Sequence, residues 1–299
     1  MHEAQQNRPQ IGIILVNYNG YADTVECLKS LEAITYPNQR TYVVDNASTI
    51  EPEKEQLEYI KVQSVYITSK ENLGFSGGNN LGIARAIEDG CQYVLLLNND
   101  TTVEPGFLEP LVEAAMKEEN LGCAIGRIMF YSEPEIVWYA GGVYDEKTTQ
   151  VCHSGWGKKY SELAQTDCSQ EVTFATGCMM LIPVKVVQKI GYLSEEYFLY
   201  AEDTDYCCRI LQAGLKIQYC RDSVIYHKVS RSTGEKSSNT QYYMTRNNLM
   251  IIRKYGVYKA YAYYKMLYMA TRDIIKRRKA FWPTAEATYD FLKNRKGKR

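Results

Sequence analysis

Nine cysteines are scattered along the 299 residues without one C-x-x-C spacing. That absence excludes a zinc ribbon and a dithiol redox motif, and an odd number of thiols fits a reducing compartment. No stretch of about 18 apolar residues exists, so no helix is expected to cross a membrane. The polar opening MHEAQQNRPQ lacks the apolar core of a secretory leader, and the expected location is the cytoplasm. Neither G-x-G-x-x-G nor a loop ending in Gly-Lys-Ser/Thr occurs, which removes the dinucleotide fingerprint and the P-loop. Internal repeats and low-complexity tracts are missing as well before about residue 240. Net charge is also absent, with 35 basic against 35 acidic residues. The balance is uneven, however, because residues 246–299 hold 15 Lys and Arg against 3 Asp and Glu. An acidic body with a basic tail suggests that the tail meets something anionic.

What is present is a repeated change from apolar to polar. IGIILVNYNG (11–20), RTYVVDNAST (40–49) and YVLLLNND (93–100) each read as a buried strand running into Asn, Asp or Gly, and QSVYITS (63–69) as a further strand. Between them YADTVECLKSLEAI (21–34), with Asp23 and Thr24 as caps, and LGIARAIEDG (81–90), ended by Gly90, read as helices. This alternation predicts an α/β fold with a mostly parallel central sheet flanked by helices, in which ligands bind beyond the carboxyl ends of the strands. Three of those ends carry polar clusters: Asn17-Tyr18-Asn19, Asp45-Asn46 and Asn98-Asn99-Asp100. Any one alone reads as a turn. Three at one sheet edge read as a shared crevice.

Other segments carry candidate chemistry. Asp100, delivered by a buried strand, is a candidate ligand for Mg²⁺ or Mn²⁺, which favour oxygen and substrate phosphates. His227, after the strand-like run in SVIYHKVSRS (223–232), is a candidate partner or simply a satisfied strand-end histidine. ENLGFSGGNN (71–80) reads as a loop ahead of a helix, whose Asn72, Gly77, Gly78 and Asn79 let backbone amides approach a phosphate or sugar. EEYFLYAEDTDYCCRILQAGLKIQYC (195–220) joins an acidic loop to an amphipathic helix stopped by Gly214. Its Glu202, Asp203 and Asp205 lie among aromatics, where burial and mutual repulsion raise a carboxyl pKa toward that of a general base. The same acids also suit the first turn of a helix. VTFATGCMMLIPVKVVQKIGYL (172–193) predicts a strand and a helix begun near Pro183. From Tyr131 to Gln170 no pattern is readable, and Trp138, His153 and Trp156 there either stack on a sugar or pack.

The segments ILVNYNG, VVDNAST, ENLGFSGGNNLGI, LLLNNDT, TGCMMLI, FLYAEDTDYCCRILQAG, YHKVSRS and YYMTRNNLMIIRKY, in this order, resemble the inverting nucleotide-sugar glycosyltransferases of family two, in particular their rhamnosyltransferase-like branch. The resemblance covers about residues 11–255 and implies the GT-A fold. It implies that Tyr18 stacks on the nucleotide base and Asp45 hydrogen-bonds it, with Asn17, Asn19 and Asn46 lining the pocket. Asn98-Asn99-Asp100 falls at the D-x-D-type metal and diphosphate position, His227 at a metal-ligand position, and Asp203 at the catalytic base. Two departures stand out: Asn98 and Asn99 replace aspartates found in many relatives, and Asn79 replaces an arginine. The implied donor is dTDP-rhamnose, with a UDP-hexose as the alternative. The implied acceptor is a saccharide or lipid-linked saccharide in bacterial surface glycan synthesis. A nucleotidyltransferase is disfavoured because VNYNGYADT lacks a Gly-rich, Lys/Arg-bearing loop. A non-catalytic glycan-binding relative is disfavoured because Asp100, Asp203 and His227 are all present.

The expected organisation is a catalytic domain over 1–245, with a nucleotide-sugar half at about 11–130 and an acceptor half at 131–245, followed by a basic, tyrosine-rich helical tail over 246–299. Tyrosines interleaved with Lys and Arg suit an anionic membrane surface at the inner face of the cell membrane, and suit equally a helix packed on the domain. No nucleic-acid-binding motif accompanies the charge.

Overall fold

A computed structural model describes residues 8–229 and 237–299. Ser230, Arg231 and Ser232 of the YHKVSRS segment lie outside the described residues. The chain opens with β1 (Ile11–Asn17), α1 (Tyr21–Glu32), β2 (Gln39–Asp45), α2 (Lys54–Gln63), β3 (Val65–Thr68), α3 (Gly74–Glu88) and β4 (Tyr93–Leu97). In β1, Ile11, Ile13, Ile14 and Leu15 are all fully buried. Such a strand is apolar on both faces because helices cover both sides of the sheet.

Beyond β4 come β5 (Thr101–Val103), α4 (Leu108–Lys117), β6 (Leu121–Phe130), β7 (Val137–Tyr139), β8 (Gly142–Asp145), β9 (Gln150–His153), α5 (Tyr160–Leu163), β10 (Gln170–Val172), β11 (Met179–Pro183), α6 (Val184–Ile190), α7 (Glu202–Gln212) and β12 (Lys216–His227). The main sheet runs β10-β12-β6-β11-β4-β1-β2-β3, with β5 on β12 and β7 on β6, while β8 and β9 form a separate hairpin. Strands β4, β1, β2 and β3 are mutually parallel. β11, however, runs antiparallel to β4 and to β6. The sheet is therefore mixed rather than mostly parallel: a parallel half on one side of β4 and a half containing both senses on the other.

Several local expectations change. α3 starts at Gly74, so GFSGGNN is the first two turns of a helix and not a loop. Its glycines serve close packing: a Cβ at Gly82 would come 2.5 Å from Ile14 Cγ2, and one at Gly78 would come 2.8 Å from Val16 Cγ1. Asp23 and Thr24 do not cap α1, whose N-cap is Gly20 without a side-chain bond. The unreadable stretch from Tyr131 to Gln170 holds β7, the β8–β9 hairpin, α5 and the start of β10. The tail comprises α8 (Ser238–Tyr255), α9 (Lys259–Ile275) and α10 (Phe281–Leu292), so one helix runs through residue 245.

The glycine face of α3 decides how deeply that helix sits on β1. Gly82→Ala should lower the unfolding free energy by up to about 2 kcal/mol in urea denaturation. Overpacking costs about 1–3 kcal/mol and exceeds the roughly 1 kcal/mol gain in helix propensity.

Candidate active site

Strand pairing brings distant side chains to one edge of the sheet. β5 pairs antiparallel with β12 so that Thr101 faces His227. That register sets Asp100, one residue earlier, against the histidine: His227 Nε2 lies 3.2 Å from Asp100 Oδ1. The Lys228 amide donates to the Asp100 carbonyl at 3.0 Å and fixes the approach. Burial opposes a charge on His227, but Cys178 and the adjacent carboxylate outweigh it and raise its pKa. Burial also pushes the Cys178 thiol up. The Nδ1 atom of His227 is buried with no hydrogen-bond partner among the described residues.

The second half of the site arrives through the three residues before β11. The amide of Gly177 donates to Asp203 Oδ2 at 3.2 Å. The next carbonyl, of Cys178, accepts from the Asn98 amide at 2.9 Å. Thus two consecutive residues touch the acid on α7 and the strand end that carries Asp100. Asp203 Oδ1 also accepts from the Thr204 amide at 2.7 Å. Burial raises the Asp203 pKa against these hydrogen bonds. A half-buried carboxylate of raised pKa at a strand-end crevice is what general-base chemistry requires.

Its two neighbours are different. Burial and the Asp203 charge raise Glu202 well above the ordinary range, and its Oε2 has no partner among the described residues. Asp205 is fully buried. Its Oδ2 accepts from Arg209 Nε at 2.9 Å, and its Oδ1 from Lys254 Nζ and Tyr255 OH, both at 2.7 Å. Engaged on both oxygens and away from solvent, Asp205 ties α7 to α8. The candidate base within the cluster narrows to Asp203.

At the β1 and β2 ends most of the expected pocket residues brace the crevice. Asn17 is fully buried. It donates to Asp45 Oδ1 at 3.3 Å and to Ser48 Oγ at 3.2 Å, and accepts from the Gly20 amide and Thr24 Oγ1, both at 3.1 Å. Asn19, with φ 60°, accepts through Oδ1 from the amides of Thr49 and Ile50. Asn46 donates to Asn72 Oδ1 at 3.2 Å and to the Gly74 carbonyl at 2.9 Å, and accepts from the Leu73 amide at 2.9 Å. Asn99 donates to Thr24 Oγ1 at 2.9 Å. Asn98 is held through its backbone, its carbonyl accepting from Thr101 Oγ1 at 2.7 Å. Asp45 keeps contact with Ser48 Oγ at 2.5 Å and Tyr21 OH at 3.2 Å, and Tyr18 stands out from the edge, 39% exposed. Gly77, Gly78 and Asn79 are buried in α3, where Asn79 Nδ2 donates to its own helix at the Phe75 carbonyl, 2.9 Å away. A Cβ at Gly77 would meet Leu73 and one at Gly78 would meet Val16, and the Asn79 carboxamide is engaged within its own helix.

The profile of the family described as "Glycosyl transferase family 2" matches residues 12–191, three-fifths of the chain and all of the strand ends just described except that of β12. The chain belongs to glycosyltransferase family 2. Among curated relatives, it is 26% identical over 245 residues to the low-salt glycan biosynthesis hexosyltransferase Agl10 of Haloferax volcanii, covering 80% of this chain and 74% of the relative. It is 22% identical over 253 residues to the dTDP-rhamnosyl transferase RfbF of Shigella flexneri, covering 81% and 79%. It is 23% identical over 239 residues to the N-acetylglucosaminyl-diphospho-decaprenol L-rhamnosyltransferase of Mycobacterium tuberculosis, covering 74% and 77%. Among solved structures, GalNAc-T7 with UDP, GalNAc and Mn²⁺ superposes with a TM-score of 0.67 at 18% identity, over 97% of this chain and 58% of that one. The Pyrobaculum calidifontis mannosyltransferase PcManGT, with GDP-Man and Mn²⁺, gives 0.54 at 16% identity, over 96% and 71%. The fold is therefore the GT-A fold of glycosyltransferases.

Asp100 and His227 fit a divalent cation as a partial shell. They offer an oxygen and a nitrogen at neighbouring strand ends, a donor set that Mn²⁺ accepts. No group of three or more His, Cys, Asp or Glu ligands forms among the described residues. Diphosphate oxygens and water would complete the coordination.

Three residues at this candidate site escaped the sequence reading: Thr24, Ser48 and Gly177. Thr24 reads as a cap, Ser48 carries no signal of its own, and nothing local reveals which distant carboxamide they serve. Gly177 stood in TGCMMLI, a segment recognised without a role. The unreadable stretch also contributes: Trp138 packs edge-on against His227 at 4.9 Å and against His153 at 4.6 Å, with half-exposed Trp156 beyond it at 5.6 Å.

Glu202 provides a pH test. Its folded pKa is raised, so the stability it contributes is intact below the unfolded value near 4.5 and is lost as pH rises toward the folded value. Glu202→Gln keeps the neutral shape at every pH. It should raise the denaturation midpoint at pH 8 and leave it nearly unchanged at pH 5.

Proposed function

We propose that this glycosyltransferase moves one sugar from a nucleoside diphosphate to a hydroxyl of a saccharide or lipid-linked saccharide, with inversion at the anomeric carbon, in bacterial surface glycan synthesis. The observation that carries the reading is the Gly177–Cys178 pair, which touches Asp203 on one side and the Asp100 strand end on the other. Proton acceptor and diphosphate end thus share one wall. Asp203 takes the proton of the acceptor hydroxyl as its oxygen bonds to the anomeric carbon. The bond from that carbon to the diphosphate breaks, and its electron pair leaves with the nucleoside diphosphate. One displacement inverts the centre and needs no enzyme nucleophile. A Mn²⁺ or Mg²⁺ ion held by Asp100 and His227 would supply Lewis-acid neutralisation of the leaving diphosphate. Tyr18 stacks on the base and Asp45 hydrogen-bonds it, on a platform kept rigid by Asn17, Asn19 and Asn46.

The rhamnosyl relatives support dTDP-rhamnose as donor. A UDP-hexose is the second reading, favoured by the hexosyltransferase relative and by the UDP-bound neighbour of higher TM-score. The tail supports a partner surface. Of α9, Ala262 alone is buried. Tyr261, Tyr264, Leu267, Tyr268 and Ile275 recur at three- and four-residue spacing and are all exposed, Leu267 at 68%, and Trp282 follows at 78%. An outward apolar stripe flanked by Lys265, Arg272, Lys276, Arg277 and Arg278 suits an anionic bilayer at the inner face of the cell membrane. No helix among the described residues is long and apolar enough to cross a membrane.

Hydrolysis of a panel of dTDP-, UDP- and GDP-sugars with Mn²⁺, and after chelation, tests the donor and metal assignments. Turnover should need the metal and be fastest with dTDP-rhamnose. Asp203→Asn should lower transfer about 10²–10⁴-fold and leave donor KM within a few-fold. Full transfer by that variant would move the base elsewhere. In cosedimentation, vesicles containing phosphatidylglycerol should capture the protein while neutral phosphatidylcholine vesicles do not, and Leu267→Ser with Ile275→Ser should abolish capture. Equal behaviour with both vesicles would sink the membrane assignment.

A further inference from the structure

The backbone leading into α7 is held in an unusual way. Tyr200 and Ala201 both have positive φ, 67° and 71°, a conformation that residues with a Cβ seldom adopt even singly. Asp203 follows two residues later. Every carbonyl from Tyr197 to Tyr200 is captured from outside the segment. Ser76 Oγ donates to the Tyr197 carbonyl at 3.0 Å, and the Phe75 amide donates to the Phe198 carbonyl at 2.9 Å. Asn247 Nδ2, on α8, gives its two hydrogens to the Leu199 and Tyr200 carbonyls at 2.9 and 2.8 Å. Carbonyls only accept, so the Asn247 atom facing them must be nitrogen. On its other side Arg246 Nε only donates, and lies 3.0 Å from Asn247 Oδ1. The carboxamide is fixed at both ends. Asn247 and Arg246 are both fully buried, and Arg246 Nη2 donates to the Gly297 carbonyl at 2.7 Å.

We propose that Asn247 is a positioning residue for Asp203: its carboxamide clamps the left-handed Tyr200–Ala201 turn and thereby sets where the base carboxylate sits against Gly177. The inference rests on Asp203 being the base, but the clamp can be read without that assumption. Released from Asn247, the two residues relax toward negative φ, and the first turn of α7 swings with them. The basic C-terminal segment is then part of the catalytic scaffold, holding the acid from α8 in front of the turn through Asn247 and behind it through Lys254 and Tyr255 on Asp205.

The test combines kinetics with hydrogen exchange. Asn247→Ala should lower kcat for metal-dependent donor turnover about 10- to 100-fold, the penalty of a misplaced catalytic group, with donor KM little changed. Asn247→Asp, which turns an oxygen toward two carbonyls, should be at least as damaging. Ala201→Gly placed in the Asn247→Ala protein should recover most of the turnover, because glycine holds a positive φ without strain. A loss that was merely structural would not be rescued this way. Amides of residues 202–205 should exchange faster in Asn247→Ala and slow again in the double variant. Ala201→Gly alone should raise the thermal midpoint, which keeps the strain testable even if Asn247→Ala does not fold. Full turnover in folded Asn247→Ala, failure of rescue, or unchanged exchange at 202–205 would each overturn the clamp. Absence of turnover in the wild-type protein with every donor would instead overturn the proposed function, and the exchange data would still decide the clamp.

Discussion

Two hydrogen bonds from adjoining main-chain groups tie together the two halves of the candidate site. The Gly177 amide reaches Asp203, and the adjoining Cys178 carbonyl takes the Asn98 amide. Both contacts require β11 to run antiparallel to β4, since that register places the start of β11 at the end of β4. In an all-parallel sheet the start of β11 would lie at the opposite edge, and the acid on α7 would have no bridge to Asp100. A Cβ at Gly177 would come 2.9 Å from Phe75, so a side chain there would disturb the α3 terminus that also steadies the turn before α7.

Around that bridge the polar residues divide into those that brace and those left to act. Buried amides must be satisfied or they cost stability, and Asn17, Asn46 and Asn99 satisfy themselves on neighbouring loops. Their geometry explains why a crevice rich in asparagine offers few free functional groups. What stays partly accessible is Tyr18 and half-buried Asp45, Asp100 and Asp203, with His227 buried beside Asp100. Departure from an aspartate-rich motif therefore has a structural meaning: Asn99 holds α1 through Thr24, a neutral role that a carboxylate beside Asp100 would fill poorly.

The C-terminal helices serve two masters. α8 supplies Asn247, Lys254 and Tyr255 to the segment that carries Asp203, the proposed base, and α10 locks α8 through the Tyr242 hydroxyl donating to Asp290 at 2.7 Å. α9 instead turns its apolar stripe outward. Apolar side chains at helical spacing that do not face a core are uncommon in a soluble surface, and their cationic neighbours give that face a sign.

The sequence alone offered Asp100, His227 and the Glu202–Asp203–Asp205 cluster as candidates, with Asp203 singled out only through the family resemblance; it set the α/β class and the three strand-to-polar transitions in the first hundred residues. Their physical basis is local: continuous apolar runs need burial on both faces, and a polar residue at the end of such a run must lie at an edge. Tertiary structure decided the rest. Asp100 meets His227 only because β5 pairs with β12, across 127 positions of chain. Asp205 becomes an anchor only because Lys254 and Tyr255 arrive from α8, and Gly78 lies close against β1 because it has no Cβ to meet Val16. Ala201 takes a left-handed turn only because a carboxamide 46 residues later accepts no other path. None of these has a local signature, because each is fixed by a partner that the chain supplies from elsewhere.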